Sequence, residues 1–433
     1  MYLDAIAQHN PDLIRVAARL HQEGQVPAGT YVIDLETVRS NAVAEAREAK
    51  RVGIKLYFMT KHFNRNPVVA HAIVAAGIPS AVAVELQDAL YLHRYGVPIG
   101  HVGHLVQIPR HALKTVLKMH PEVMTVFSVE KARQVSEAAR ELGLVQGILL
   151  RVRAKEDIIY PNEEGGIWEE DLEAAAREIR GLRGVRVDGA VTFPATLFNS
   201  HTGNLEETTN FQTLRRAGER LAQMGFEVRQ LNAPGASSAI GFETVAAGGG
   251  THAEPGHALT GTTPAVLYNG KSPERPALVY VNEVSHLFEG KAYVFGGGFY
   301  ACDTPANRGD DSAFHTDPWI PRAFVGRAGG DIFATKVPVD KGSFFGRTLN
   351  ATDYYGGTLL PEGDVDIKVG DTVVYGFRPQ IFTTRATVAV VDNVSTEPVL
   401  LGVFDRANNL LDENLLPIEG SIERVRHLLH TVV

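Results

Sequence analysis

Lys55-Leu56-Tyr57-Phe58-Met59-Thr60-Lys61 reads as one buried strand: large apolar residues in its middle, a charge at each end, and a helix signal, Asn66-Pro67, soon after. A lysine at the carboxyl end of the first buried strand of a strand–helix series stands where α/β barrels keep their chemistry. Desolvation lowers the pKa of an amine placed there, and the free amine can form a Schiff base with an aldehyde. Taken alone, Lys61 also fits a solvated strand-end lysine. A second stretch, Thr251-His252-Ala253-Glu254-Pro255-Gly256-His257, argues for a site.

Outward from Lys55, apolar strands alternate with amphipathic helices. Strands are expected near residues 55–59, 80–84, 101–107, 123–127, 147–152, 185–192, 228–231 and 251–254. Helices are expected over 66–77, 86–95, 110–119, 129–142, 168–182, 205–225 and 237–246, with Asn66 and Ser128 as N-caps. Eight strands with intervening helices predict an α/β fold, a (β/α)8 barrel, over an open doubly wound sheet. Closure pairs the eighth strand with the first and brings Glu254 beside Lys61. Asn232-Ala233-Pro234-Gly235-Ala236-Ser237-Ser238 is a small-residue loop entering a helix, offering N–H groups and two hydroxyls to a phosphate. An ordinary capped turn has the same composition.

The remainder predicts a second module. Residues 1–24 read as helical, and 29–34 as an extra strand. Short β-like runs follow at 277–284, 292–295, 372–377, 386–392 and 399–404. The expected organisation is an N-terminal helical arm (1–28), a barrel region (29–274) whose first strand can join the later sheet, and a C-terminal β domain (275–433). Residues 303–357, rich in glycine, aspartate and arginine, read as long loops, and the glycine triplets at 248–250 and 296–298 read as turns.

The composition narrows the function. With 433 residues, 44% hydrophobic and 21% charged, the chain is long enough for a barrel plus a second module. A formal net charge of −8 without a basic tract argues against nucleic acid as a partner. The single cysteine, Cys302, rules out an intrachain disulfide and fits a reducing compartment. The amino terminus lacks the order of a signal peptide and no apolar run is long enough to span a bilayer, so a cytoplasmic protein without a membrane partner is expected.

A lysine after strand one, a small-residue loop after strand seven, Glu-Pro-Gly after strand eight and a following β domain together resemble the fold-type III pyridoxal-phosphate enzymes. That group includes alanine racemase, the ornithine and diaminopimelate decarboxylases and the D-serine dehydratases. Along nearly the whole chain the similarity is to the YhfX-type proteins, themselves named amino-acid racemases by analogy. It is carried by Tyr57-Phe58-Met59-Thr60-Lys61, Gly103-His104-Leu105-Val106-Gln107-Ile108-Pro109, Leu231-Asn232-Ala233-Pro234 and the block from His252 to Thr262.

The resemblance implies pyridoxal 5′-phosphate as cofactor and Lys61 as the lysine that carries it. Ser237, Ser238 and the backbone at Gly256-His257 would hold the phosphate, Glu254 would face the pyridine nitrogen, and Asn232 would lie in the same cofactor site. Alanine racemase has an arginine where this chain has Glu254. The decarboxylases carry Glu-Pro-Gly-Arg, with His257 here in the arginine's place. Thr192 takes the position at which relatives commonly carry a histidine against the ring. Arg151 and Arg153 share a strand face and either point into the barrel toward an anion or sit at its rim. His71, His93, His101, His104 and His111 read as scattered, and Gln380 and Phe382 stand where the dehydratases hold zinc, so no metal is expected.

Chemistry at Cα also needs a group opposite the lysine, which in the resembled family comes from the partner subunit. Tyr300 and Cys302, two residues apart, are the expected candidates, with Tyr354 and Tyr355 behind them. The expected protein is a homodimer with shared active sites, acting at Cα of a small-molecule amino acid as a racemase or epimerase. The alternatives are an amino-acid decarboxylase or D-amino-acid lyase, and a non-catalytic pyridoxal-phosphate carrier.

Overall fold

Parallel strands covered on both faces read as near-continuous apolar runs, and most of the eight runs expected from the sequence do; the last, Thr251-His252-Ala253-Glu254, is mostly polar. The computed structural model describes residues 2–268, 270, 272–299, 322–339, 353–361 and 365–432. In it Lys55–Met59, Ser80–Ala83, Ile99–Val102, Val123–Val126, Gln146–Arg153, Val185–Val191, Gln230–Asn232 and His252–Ala253 form eight parallel strands. The ring closes where His252 and Ala253 pair with Lys55 and Leu56. Two of the helices between them start at the expected capping residues. Asn66 Oδ1 accepts from the backbone N–H of Val68 and Val69 at 3.0 and 3.3 Å, opening Pro67–Ala75. Ser128 caps Val129–Glu141 through the Lys131 N–H at 3.1 Å.

The inside of the barrel is packed: Tyr57, Met59, Val82, Val84, Val123, Leu149 and Val191 form one buried cluster. Room for the Tyr57 ring comes from Gly100 on the third strand. A Cβ at Gly100 would stand 2.2 Å from that ring and 2.7 Å from Ser80 Oγ. Gly100→Ala should therefore cost about 1–3 kcal/mol through overpacking, read as a lower denaturant midpoint with an unchanged slope. An unchanged midpoint would show that the ring can move aside.

Four expectations need correction: residues 303–357, read as long loops, include the sheet strands Arg322–Gly326 and Lys336–Pro338, and three more follow. The third strand is Ile99–Val102 and ends before Gly103, whose φ of +77° suits glycine, so residues 103–107 leave the barrel as a loop. The segment expected to start a helix at 205 instead forms a hairpin, Thr196–Asn199 with Asn204–Glu207, and the helix is Thr209–Gln223. Leu205 is buried there against Phe198 and Ala265, a small cluster that outweighs the helical propensity of its neighbours. Leu35–Val52, capped by Asp34 through Thr37 N–H at 3.1 Å, is a helix absent from the reading above.

The second layer is a nine-stranded sheet among the described residues. Thr30–Asp34 lies inside it, antiparallel to Leu278–Phe288 and parallel to Thr387–Asp392. The chain thus passes through this sheet before entering the barrel, which fixes the two layers to one another. The leading helices Tyr2–His9 and Pro11–Gln22 bury Leu3, Ile6, Leu13, Ile14 and Ala17 against Val32, Val279, Val374 and Ala389 of the sheet. No described helix is long and apolar enough to cross a membrane.

Candidate active site

Lys61 opens a short 3-10 turn, Lys61–Phe63, at the carboxyl end of the first barrel strand. Two structures fix this turn. Met59 N–H donates to Pro255 O at 2.8 Å, tying it to the Glu-Pro-Gly-His segment. From the sheet, Thr383 Oγ1 donates to Lys61 O and accepts from Asn64 N–H, the latter at 3.1 Å. Gly256 is required by this packing, since a Cβ there would lie 2.5 Å from the His62 ring and 2.8 Å from Met59 Cβ. Burial lowers the pKa of the Lys61 amine. The charge of Arg378 adds to that, while Glu163, Asp88 and Glu254 oppose it.

Glu254, emerging beside Lys61 as closure requires, is buried and fully oriented. Its Oε1 accepts from Asn232 Nδ2 at 2.6 Å and meets His101 Nδ1 at 2.6 Å; His101 Nε2 in turn meets Thr125 Oγ1 at 2.5 Å. Its Oε2 has no hydrogen-bond partner among the described residues. Burial works against the carboxylate, but His104, His101 and Asn232 together outweigh it and hold Glu254 at about 2. Burial likewise takes His104 down to about 3 against the pull of Glu254. At neutral pH the site therefore holds a carboxylate beside a neutral imidazole.

These values set a pH dependence. Below about 6.5 the unfolded chain binds a proton at His104 that the native state refuses down to about 3, so stability rises with pH across that window. The depressed Glu254 contributes stability above its unfolded value of about 4.3, lost as pH falls toward about 2. At about pH 5 the His104 contribution alone is a loss of about 2 kcal/mol. His104→Gln should flatten the fall in urea midpoint between about pH 7 and about pH 5. An equally steep fall would show that His104 takes up its proton without unfolding.

The histidines are not all scattered. His101 and His104 converge with Glu254, their ligand atoms within 4.8 Å of one another, a spacing that could hold a metal ion. The cause is the short third strand: His101 points inward from its end and the Gly103 turn brings His104 back over the site. His104 also puts an imidazole near Thr192, which is buried just past the sixth strand; the neighbouring Phe193 ring meets His104 edge-on at 5.7 Å.

Ser237 Oγ accepts from Glu254 N–H at 3.3 Å, and Ser238 Oγ and Thr263 Oγ1 are buried without partners among the described residues. The expectation of free N–H groups beside these serines fails at Ala239. Its N–H is taken by Glu45 Oε1 at 2.8 Å and by Glu274 Oε1 at 3.1 Å. Burial, and Glu274 beside it, push Glu45 well above the usual carboxylate range.

The two strand-five arginines part. Arg151 is buried over the Phe127 ring, 5.3 Å from its centroid, with Nη1 unpartnered among the described residues. Burial lowers it to about 10, against the pull of Glu163. Arg153 stacks on the exposed Trp168 at 4.5 Å. The sequence reading missed Tyr160 and Glu163, which lie in the loop after that strand. Burial raises Tyr160 to about 12, and Glu163 Oε2 is buried without a described partner. His257 stacks on His62 at 3.7 Å and meets Gln380 at 3.4 Å, so the segment read for its missing zinc ligands instead touches the site. Tyr300 and Cys302 lie outside the described residues. Tyr354 and Tyr355 are exposed.

Comparisons with known proteins agree with this fold. Residues 33–264 match the family described as alanine racemase, N-terminal domain, and residues 279–310 and 338–400 match the one described as YhfX-like, C-terminal domain. The chain is 38% identical over 413 residues to the uncharacterized protein YhfX of Escherichia coli (strain K12), across 95% of this chain and 100% of that protein. D-threonine aldolase from Filomicrobium marinum superposes with a TM-score of 0.62 at 14% identity, covering 89% of this chain and 96% of its own. Alanine racemase from Clostridium difficile 630 gives 0.59 at 15%, covering 88% and 99%. At such identities these two speak for the fold alone. Family match and full-length relative together make this chain a member of the alanine racemase-type, fold-type III family, in the branch that carries a YhfX-like C-terminal domain.

Proposed function

We propose that the chain is a pyridoxal 5′-phosphate-dependent enzyme acting at Cα of an amino acid, as a racemase or epimerase, and that its homodimer shares active sites. The observation that carries this reading is a pKa-depressed lysine beside a buried carboxylate with one free oxygen, Glu254 Oε2. The site fits the cofactor by its unpartnered buried atoms: Glu254 Oε2 for a ring N–H, Ser238 Oγ and Thr263 Oγ1 for a phosphate, and Arg151 Nη1 for an anionic oxygen. Ser237, and the backbone at Gly256 and His257, would complete the phosphate contacts.

Bound there, pyridoxal phosphate supplies an electron sink for the pair left when a bond at Cα breaks. Lys61 would hold the cofactor through its amine and would take or return the proton at Cα. Glu254, fixed by His101 and Asn232, would accept from the ring N–H and hold its proton there. Inversion needs a donor on the far face, and Tyr300 of a second copy of the chain is the group we assign to it, with Cys302 next. Tyr300→Phe should lower racemisation by about 10²-fold. Mixing that chain with Lys61→Ala should restore part of the activity in hybrid dimers; no recovery would argue against shared sites.

A lyase or decarboxylase reading is favoured by Glu254, whose carboxylate makes the ring a stronger sink than an arginine would. A carrier role sits poorly with the large sheet region against the site. Incubation with amino acids in deuterated water tests the reaction. Racemisation exchanges the Cα hydrogen and yields both enantiomers, whereas decarboxylation releases carbon dioxide and retro-aldol cleavage releases an aldehyde. A protein that stays colourless after reconstitution sinks the whole reading.

A further inference from the structure

Arg378 follows the sheet strand Thr372–Tyr375, on the segment that meets the barrel site. The segment around it is anchored on both sides. Before it, the buried Phe377 ring packs among Tyr31, Tyr280 and Phe299 at 6.0, 5.9 and 5.4 Å. After it, Gln380 meets His257 at 3.4 Å and Thr383 bonds the Lys61 turn. Arg378 therefore enters the site on a backbone that cannot easily withdraw.

Its Nε and Nη1 are buried, and neither has a hydrogen-bond partner among the described residues. The residue as a whole is half-buried, but a buried guanidinium N–H without an acceptor is costly, so such a group normally faces one. The described carboxylates nearby do not meet this need: Glu163 Oε2 is itself unpartnered, and Asp88 pairs with Arg65 at 3.4 Å. The charge is felt where a substrate would sit. After burial, Arg378 is the largest influence lowering His257, and it adds to the lowering of Lys61 and His62. Tyr160, raised by burial, feels it as well. Arg378 thus stands among Lys61, His62, Tyr160 and His257.

We infer that Arg378 is a substrate-binding residue whose guanidinium receives the substrate's carboxylate beside Lys61, supplied by the chain's own sheet. This rests on the reading of Lys61 as the cofactor lysine. The planar fork of an arginine matches a carboxylate in two parallel hydrogen bonds, and that match selects amino acids with a free carboxylate over amines and amides. His257, an imidazole held neutral by burial and stacked on His62, is not placed to do this. Arg378 would also hold the reacting amino acid at a fixed angle to the Lys61 amine.

Propionate tests it, with propionamide as the neutral control, titrated into the cofactor-loaded protein and followed by cofactor absorbance. Wild type should respond saturably to propionate and not to propionamide. Arg378→Gln should weaken propionate about 10- to 100-fold, with Arg378→Lys between, while uptake of pyridoxal phosphate and of pyridoxal stays as in wild type. If Arg378→Gln instead weakens pyridoxal phosphate but not pyridoxal and leaves propionate unchanged, the guanidinium belongs to the cofactor phosphate and the inference is wrong. If neither ligand is affected, the arginine is structural and the inference is equally wrong. A protein that takes up no cofactor would refute the reading of Lys61. The carboxylate site would then still be testable as a propionate-dependent thermal shift of the unloaded wild type, lost in Arg378→Gln.

Discussion

Lys61→Ala should give a folded protein whose turnover is at least about 10⁴-fold below wild type, because one residue is both the attacking amine and a proton carrier at Cα. Borohydride should then fix no label, whereas in wild type the label should sit on a peptide containing Lys61. Folding should survive, because the turn is held through its backbone: Thr383 bonds Lys61 O and Met59 N–H bonds Pro255 O. Removing an amine that burial disfavours in its charged form should leave the melting temperature unchanged or higher. The depressed pKa also predicts that wild type reacts with the cofactor at neutral pH faster than its solvated lysines do, since more of the Lys61 amine is free. A label that persists in Lys61→Ala, on any other lysine, would remove this residue from the mechanism.

Much of the frame was legible because most of the parallel barrel strands read as near-continuous apolar runs, and such runs stand out between capped helices. The run ending at Lys61, the Glu-Pro-Gly turn and their juxtaposition all follow from counting eight strands and closing the ring. What escaped depends on contacts between elements distant in sequence. His101 and His104 look like two unrelated histidines until the third strand is seen to stop at Val102. An imidazole near Thr192 comes instead from His104, in the loop after the third strand, with the Gly103-His104 turn as its one sequence signal. Leu205 reads as the first apolar residue of a helix, because nothing local reveals that Phe198 and Ala265 will cover it. Gln380 sits in a segment read for the zinc ligands it lacks, with Arg378 just before it, and their place at the site is a property of the sheet docking on the barrel. The Ser237-Ser238 loop was legible as a helix entrance, but not the two carboxylates, Glu45 and Glu274, that arrive from elsewhere to take its Ala239 N–H.

Glu254→Gln should lower turnover by about 10²–10³-fold, the usual cost of removing one preorganised group that stabilises developing charge. Cofactor uptake should change little, since the phosphate contacts assigned to Ser237, Ser238, Gly256 and His257 do not involve this side chain. The geometry predicts where the loss arises. In wild type Oε1 is already engaged by His101 and Asn232, and Oε2 is the acceptor left for a ring N–H. A glutamine keeps the shape but has one acceptor where the carboxylate has two, and no charge to keep a ring nitrogen protonated. His104, 4.0 Å from Oε2 and lowered chiefly by burial, would at the same time lose the negative charge that partly offsets that burial. Its pKa should move further down, which nuclear magnetic resonance of the imidazole can follow independently of catalysis. Glu254→Asp keeps the charge but shortens the reach, and should recover less of the rate than of the ring's protonated absorbance. Wild-type turnover in Glu254→Gln, with cofactor bound, would mean that no carboxylate is needed at the ring nitrogen, and would leave His101, Asn232 and Glu254 as a structural network at the end of the barrel.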